Sequence, residues 1–543
     1  MIKFLLIFLI YICVITYSLT VKQFLFKSSI NNIVASDLGY GFSFLIIIAF
    51  LVNILLPLNS LIFPLIFISF FLFLYNFSFF KKHFKFEIFL IILILTLLIE
   101  INPLAGDTPF YHLQIIKWYS DNSLVFGIAN LENRFGIVSG WHHLLSIFNH
   151  EIFKINLLYL LNSIPLIILI KLTYEEALTD INKIHQIFLL SVTSFLLVYS
   201  FIHPSLNGTI FNSIGSADAD SSGMYFYILS FYFFLKSLNT RNINNLALTV
   251  VFSVLSYISK LSYLPSLMLP IFLVFYLKIN ILKYLKFMVF IGIINFLWVS
   301  KYLVSTGCLI FPLDFTCINF EWSVSKDLVK EFAKETSAFA RSKNNTYTNY
   351  TNYDYYLNSF QWFLPWVKNF FFTIAFIKIS IFIIFLSSII IFFNLKWSQI
   401  KKTIIEVLFL FIFFVIGLTY WLIAPDIRFG YALFICITML ILSISVYFIR
   451  EIINKINISK YFVISIFLVL IGFKNIKYQF NDDIYIKNRT FNYSNLYLHK
   501  KINNYEIYKT NSGDCAFFKK ICIYNSIENL EITRKGRYIF IKK

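Results

Sequence analysis

Long, continuous apolar runs alternate with short charged segments along most of the chain. A helix needs roughly 20 apolar residues to cross the hydrocarbon core of a bilayer. Runs of adequate length predict membrane spans near residues 2–20, 41–57, 60–78, 86–103, 154–170, 185–202, 222–236, 245–259, 263–277, 287–304, 370–393, 404–423, 430–448 and 461–474. Because these runs do not alternate apolar and polar residues, an outer-membrane barrel is excluded. The pattern predicts an all-α polytopic membrane protein with about 12–14 transmembrane helices.

The overall composition agrees with this prediction. Hydrophobic residues make up 59% of the 543 residues and charged residues only 13%, against about 25% charged residues in a typical soluble domain. The mean hydropathy is +0.76. Soluble enzymes and secreted domains are therefore excluded as function classes.

The positive charges indicate which connections face the cytoplasm. The chain has a net charge of +19, and its Lys and Arg residues gather in alternate connections, which the positive-inside rule assigns to the cytoplasm. This topology leaves loops 104–153, 203–221 and 305–369 outside. We expect residues 1–474 to form the transmembrane domain and residues 475–543 to form a small external appendage containing strands. Since the charges mark topology, they predict no nucleic-acid partner.

Four cysteines lie in the predicted external segments: Cys308 and Cys317 in one loop, Cys515 and Cys522 in the tail. An oxidising compartment would keep such pairs bridged. Two local disulfides are therefore plausible, and four free thiols are the alternative. No Cys/His spacing indicates a zinc site.

The first candidate for chemistry is Gly106–His112, directly after the fourth apolar run. Charged residues at the membrane boundary are costly unless they face protein or water, so they are candidates for function. Tyr111, Ile115 and Trp118 share one helical face, which predicts a short helix lying along the interface. Asp107 would either cap this helix or act as a general base that takes a proton from a hydroxyl.

Two further segments place polar residues next to a span. Asp218 and Asp220 lie in Ser213–Ser222, where two carboxylates could bind a divalent cation or orient a hydroxyl, or cap the following span. Lys260 lies between two apolar runs. Its ammonium group suits a phosphate, and snorkelling to the headgroup region is the alternative.

The fourth candidate is Ala424–Gly430 at the end of another span. Arg428 could bind a phosphate with two parallel hydrogen bonds while Asp426 fixes its orientation, or the pair could simply satisfy itself at the interface. Four histidines lie at the same boundary without a partner that the sequence identifies, and a structural role is favoured for each: His112, His142, His143 and His203.

In order and sidedness, these segments resemble motifs of the GT-C superfamily, multi-span glycosyltransferases that use polyprenyl-phosphate-linked sugars. The chain resembles a bacterial branch of GT-C-like membrane proteins more closely than the superfamily as a whole. The resemblance covers nearly the whole chain. The segments that carry it are Gly106–Trp141, Ser213–Asp220, Ser259–Pro265, Leu303–Pro312, Ala424–Gly430 and the tail segment Gly513–Cys522.

The resemblance implies an inverting glycosyltransferase of the bacterial inner membrane with its active face outside. The donor would be a polyprenyl-phosphate sugar, and the acceptor a glycan, lipid or protein in cell-envelope polysaccharide synthesis. Asp107 is expected to be the catalytic base. Because it has no acidic neighbour, Asp218 or Asp220 is expected to supply a second carboxylate, with Asp218 favoured. The expected substrate-binding residues are His112, Arg134, Lys260 and Arg428.

Two other functions remain open at this point. The large external loop is also typical of a glycan polymerase or ligase that uses a polyprenyl-diphosphate-linked substrate. A lipid or glycan transporter is the alternative from another class, although the sequence shows no inverted repeat or paired broken helices. No cofactor is implied with certainty, a divalent cation being the one candidate.

Overall fold

The computed structural model describes residues 2–26, 34–78, 80, 86–101, 107–150, 156–179, 181, 183–202, 216–342, 353–394, 403–455, 496–503, 505–510, 515, 521–523 and 530–543. The predicted span at 461–474, His203 and most of the loop 203–221 lie outside the described residues.

Helices dominate the first 455 residues. Their bounds are α1 Ile2–Phe26, α2 Leu38–Val52, α3 Ile62–Tyr75, α4 Phe86–Ile101, α5 Leu113–Asp121, α6 Gly140–Ile147, α7 Asn156–Leu161, α8 Ser163–Ala177, α9 Ile184–Ile202, α10 Asp220–Thr240, α11 Ile243–Ser259, α12 Met268–Tyr276, α13 Leu285–Thr306, α14 Lys326–Ser342, α15 Phe363–Thr373, α16 Ala375–Asn394, α17 Ile404–Leu422 and α18 Ile427–Lys455.

Seven helices within the described residues are long and apolar enough to cross a bilayer, namely α1, α2, α3, α13, α16, α17 and α18. Shorter apolar helices lie in α4, α9, α11 and α12. This agrees with the predicted all-α polytopic fold. Several of the long helices also present large apolar side chains outward: Phe67 of α3 is 64% exposed, Phe382 of α16 is 62% exposed and Phe411 of α17 is 66% exposed. Exposed apolar surface of this extent suits a lipid environment.

Helices α10 and α11 form an antiparallel hairpin in the centre of the bundle. Helix α10 is buried along nearly its whole length. Small polar residues join the two helices, since Ser230 Oγ lies 2.6 Å from Ser253 Oγ and Ser256 Oγ donates to the Gly223 carbonyl at 2.9 Å. Small residues and interhelical hydrogen bonds are the usual means of close packing where lipid supplies no hydrophobic drive. The hairpin brings the start of α10 and the end of α11 to the same end of the bundle.

Close packing of α1 against α2 depends on Gly41. Its amide donates to Ser18 Oγ at 3.1 Å. A Cβ atom at this position would lie 2.2 Å from the Val14 carbonyl oxygen. Only glycine therefore allows the two backbones to approach this closely.

The C-terminal segment forms the predicted strand-containing appendage, in two small sheets. The sheets are β1-β6-β5 and β2-β3-β4, with bounds β1 Val125–Phe126, β2 Leu496–Ile502, β3 Tyr505–Thr510, β4 Ile521–Cys522, β5 Glu531–Lys535 and β6 Tyr538–Lys542. Strand β6 pairs in parallel with β1, which follows α5. The Asn130 side chain donates to the carbonyls of Trp322 and Ile541, at 2.9 and 3.0 Å. Three segments expected on one side of the membrane are therefore in contact.

The structure joins Cys308 to Cys317 and Cys515 to Cys522. The first disulfide closes the turn that follows α13. The two other cysteines, Cys13 and Cys436, are free and buried.

Candidate functional site

Asp107 and Arg428, 321 residues apart in sequence, meet at one end of the bundle. Arg428 Nη1 donates to Asp107 Oδ2 at 2.7 Å. Asp107 precedes a short π-helical turn, Thr108–His112, but its side chain makes no capping hydrogen bond there. The Asp107 side chain is 36% exposed. Asp107 is therefore held by a cation and accessible from outside the protein, and capping does not explain its position.

A second carboxylate fixes the orientation of Arg428. Asp426 Oδ1 accepts the Arg428 backbone amide at 2.9 Å, and Asp426 Oδ2 accepts Arg428 Nε at 3.1 Å. The turn between α17 and α18 is itself held in place, because Trp421 Nε1 donates to the Asp426 carbonyl at 2.8 Å. The pair therefore has both features expected from the sequence. Asp426 orients the guanidinium, and Arg428 in turn neutralises a buried carboxylate.

Lys260 lies at the same end of the bundle and pairs with Asp220. Lys260 directly follows α11 and Asp220 is the first residue of α10, so the hairpin brings them together. Lys260 Nζ also lies 4.6 Å from the centre of the Phe429 ring, a favourable cation–π arrangement. Phe429 follows Arg428 in α18, and it thereby connects the two ion pairs. We call Asp107, Asp220, Lys260, Asp426 and Arg428 the charged cluster.

Asp218, the carboxylate favoured from the sequence, occupies a different position from Asp220. It is 2% exposed and accepts from the Ser221 backbone amide at 3.1 Å and from Ser221 Oγ at 2.8 Å. These bonds cap the first turn of α10. The structure thus brings Asp220 to Lys260 and gives Asp218 the capping contacts, because a residue just before the first turn directs its carboxylate to the free amides of that turn.

The backbone beside Asp218 is tied to the Asp107 segment. Asn162 Nδ2 donates to the carbonyls of Ser216 and Asp218, at 2.6 and 2.9 Å. Thr108 Oγ1 lies 2.5 Å from Ser216 Oγ. The two segments, which are far apart in the sequence, therefore form one polar layer.

Two buried histidines lie beside the charged cluster. His112 Nδ1 lies 2.8 Å from His142 Nε2. Burial, together with the cations Lys260, Arg428 and Arg134, lowers the pKa of His112 to about 3, against an opposing effect of Asp107. Burial likewise holds the pKa of His142 well below its ordinary value. Both imidazoles are therefore neutral near pH 7.

Arg134 adds a third cation near Asp107. Its guanidinium lies 5.7 Å from the centre of the Tyr111 ring. Partial burial acts to raise the pKa of Asp107, but the cations Arg428 and Arg134 lower it below its ordinary value. Asp107 is therefore ionised at neutral pH.

The cations of the charged cluster retain hydrogen-bond donors. Two of the five N–H groups of the Arg428 guanidinium bind carboxylates, so three have no hydrogen bond within the described part of the chain. Lys260 uses one of its three donors on Asp220. These donors suit an anionic oxygen such as that of a phosphate. Among the described residues, no group of three or more His, Cys, Asp or Glu side chains could hold a metal ion.

The sequence did not indicate that Asp220 pairs with Lys260 or that His142 contacts His112. Asp220 had a usable signal, because two consecutive antiparallel helices of similar length must bring residues 220 and 260 to the same end. For His142 no such signal exists, since its contact with His112 depends on how α6 packs against the segment before α5.

The comparisons with known proteins identify a family. Neither the curated proteins nor the solved structures gave a match to the chain. One family profile matches residues 1–435, which include every residue of the charged cluster. The chain belongs to the family described as a domain of unknown function, DUF8201.

Proposed function

We propose that the protein is an integral membrane glycosyltransferase that transfers a sugar from a polyprenyl-phosphate-linked donor to an extracytoplasmic glycan, lipid or protein acceptor, in cell-envelope glycan synthesis. The observation that carries the proposal is the contact of Asp107 with Arg428 at one end of an apolar bundle. A carboxylate that stays ionised suits a base, and the neighbouring cations suit a phosphate.

The chemistry is a single displacement at the anomeric carbon. The acceptor hydroxyl oxygen attacks this carbon while its proton passes to Asp107. The bond between the anomeric carbon and the phosphate oxygen breaks, and the phosphate leaves with the bonding electrons, so the configuration inverts. The departing oxygen gains negative charge, which free donors of Arg428 and Lys260 stabilise. The products are the glycoside and polyprenyl phosphate.

The membrane arrangement is part of the proposal. A GT-C-like bundle of about 12–14 spans in the bacterial inner membrane would keep the prenyl chain in lipid, with the charged cluster at the external surface. The distribution of Lys and Arg along the sequence supports this orientation. An external donor site would use a sugar already carried across the membrane on its lipid.

The polymerase or ligase alternative has weaker support from the large external loop. Arg341 of α14 donates to the Tyr356 carbonyl at 3.0 Å and lies 4.9 Å from the centre of the Trp362 ring. This arginine is thus engaged within its own loop. A polyprenyl-diphosphate donor in the assay distinguishes this alternative from the proposal.

The test is transfer by detergent-purified protein from a panel of polyprenyl-phosphate and polyprenyl-diphosphate sugars to envelope-glycan acceptors. Asp107→Asn keeps the shape of the side chain but removes the base, and we expect at least about a hundredfold loss of the transfer rate. Asp121→Asn is the matched control, because Asp121 lies in the same segment and forms its ion pair with Lys117 at the surface.

Undiminished transfer by folded Asp107→Asn would contradict the proposed role of Asp107. Transfer from diphosphate donors alone would favour the ligase. Lipid movement in liposomes without any transfer would favour the transporter.

A further inference from the structure

The contact between His112 and His142 determines which nitrogen of His112 carries its proton. One nitrogen of each ring takes part in the 2.8 Å hydrogen bond, so one must donate and the other accept. Both rings are buried, with 5% of His112 and 4% of His142 exposed. Two arrangements are possible, and they differ in what each leaves at the remaining nitrogen of His142.

That remaining nitrogen, His142 Nδ1, is buried and has no hydrogen-bond partner in the described part of the chain. If His112 donated, His142 would carry a proton on Nδ1, leaving a buried N–H without an acceptor. If His142 donates, its Nδ1 is only an unused lone pair, and the N–H without a partner is on His112 Nε2, which is not among the fully buried atoms that lack one. Buried donors without a partner are rarer in proteins than acceptors whose lone pairs go unused. His142 therefore donates from Nε2, and His112 carries its proton on Nε2.

The adjacent His143 follows the same rule. Its Nδ1 lies 2.9 Å from the Ser139 carbonyl oxygen, so Nδ1 must carry the proton. Its Nε2 is then the lone pair, and that is the buried atom without a partner among the described residues. The Ser139 carbonyl thus determines the tautomer of His143, and here too the buried nitrogen without a partner is an acceptor and not a donor.

An N–H at His112 Nε2 lies among cations. Lys260, Arg428 and Arg134 all act on this ring, as does the Asp107 carboxylate, which bonds to Arg428 instead, and no acceptor bonds to Nε2 within the described residues. A donor among positive charges is suited to an anionic oxygen. We propose that His112 Nε2–H donates a hydrogen bond to a phosphate oxygen of the lipid-linked ligand, and that His142 is the positioning residue that holds His112 in this tautomer. The choice of a lipid phosphate as the ligand rests on the proposed function.

The first measurement needs no variant. Nitrogen-15 NMR of histidine-labelled protein, with eight histidines in the chain, distinguishes a protonated from an unprotonated imidazole nitrogen. His112→Asn and His142→Gln assign the two signals. We expect the proton of His112 on Nε2, with a further shift of that signal on adding a short-chain prenyl monophosphate without sugar. A proton on Nδ1 of His112 would overturn the proposal.

The second measurement is the Kd of the same prenyl monophosphate, by calorimetry in detergent. His142→Leu removes the donor to His112, and we expect about tenfold weaker binding, the effect of one hydrogen bond to a charged group. His142→Gln offers an amide N–H close to the position of Nε2 and should bind within about threefold of wild type. His143→Leu is the matched control of equal burial and should leave Kd within about twofold, since the Ser139 carbonyl keeps the bond from the His143 backbone amide.

The outcomes separate this inference from the proposed function. Equal binding by wild type and folded His142→Leu, or equal loss in His142→Gln and His142→Leu, would overturn the positioning role. The absence of any phosphate binding by wild type would also overturn it. The expected pattern of Kd values in a protein that transfers no sugar would retain the inference and remove the glycosyltransferase proposal. Sugar transfer without that pattern would do the reverse.

Discussion

Arg428 is bonded to two carboxylates whose surroundings differ, and this difference predicts unequal effects of substitution on stability. The Asp107 side chain is 36% exposed and that of Asp426 is 0% exposed. Asp107→Asn removes a pair that water can partly replace, so it should change the free energy of unfolding by about 0–1 kcal/mol. Arg428→Gln leaves the Asp426 carboxylate buried without the opposing charge, which should cost about 3–5 kcal/mol.

The assay is unfolding of detergent-solubilised protein by SDS, followed by tryptophan fluorescence. A double variant, Asp426→Asn with Arg428→Gln, removes both buried charges and should recover at least about 2 kcal/mol relative to Arg428→Gln alone. Equal stability of Asp107→Asn and Arg428→Gln, or no recovery in the double variant, would refute the assignment of Asp426 as a charge that needs Arg428. The expected result also makes Asp107→Asn a folded protein in which transfer can be tested.

Three further predictions concern acid stability, donor binding and helix packing. The pKa of His112 falls from 6.5 to about 3 on folding, so between these two pH values the unfolded chain binds more protons than the folded protein and stability decreases as pH falls. At pH 5, His112 alone should lower the free energy of unfolding by about 2 kcal/mol. Equal acid sensitivity of wild type and His112→Gln in SDS titrations would contradict this. Lys260→Gln should raise the KM for a polyprenyl-phosphate sugar about tenfold, whereas Lys117→Gln, a surface control, should not; equal KM values for both variants would exclude Lys260 from donor binding. Gly41→Ala should lower the midpoint of SDS unfolding strongly, while Gly292→Ala, where an added Cβ meets nothing within 4 Å, should not; similar midpoints would show that α1 and α2 can separate without cost.

Much of the fold follows from local patterns in the sequence. Apolar runs predict helices because a bilayer requires every backbone amide and carbonyl to be bonded within its own segment. The helix after Asp107 and the strands in the tail were also predictable from periodicity. The pairing of β6 with β1 was not, because it joins residues more than 400 positions apart through a parallel ladder of two residue pairs.

The candidate site divides in the same way. Asp107, Lys260 and Arg428 could each be selected from sequence, because a charge beside an apolar run is conspicuous. Their grouping depends on tertiary packing, and nothing local connects Asp107 with Arg428. The preference for Asp218 over Asp220 came from the family resemblance. The position of one turn separates the two residues: Asp218 makes the capping contacts at the helix start, and Asp220, two residues later, reaches the neighbouring helix.

Stability does not explain the charged cluster. Removing charges from water costs several kcal/mol each, and well-packed apolar residues of similar volume often serve a buried site as well or better. Here Asp426 is fully buried, and the Lys260–Asp220 pair is 14% and 17% exposed. An end of the bundle needed only for folding could be filled with apolar side chains. The arrangement instead keeps one carboxylate ionised and partly exposed, with unused donors of Arg428 and Lys260 near it. This distribution is difficult to account for by folding alone, and it suits an anionic ligand beside a proton acceptor.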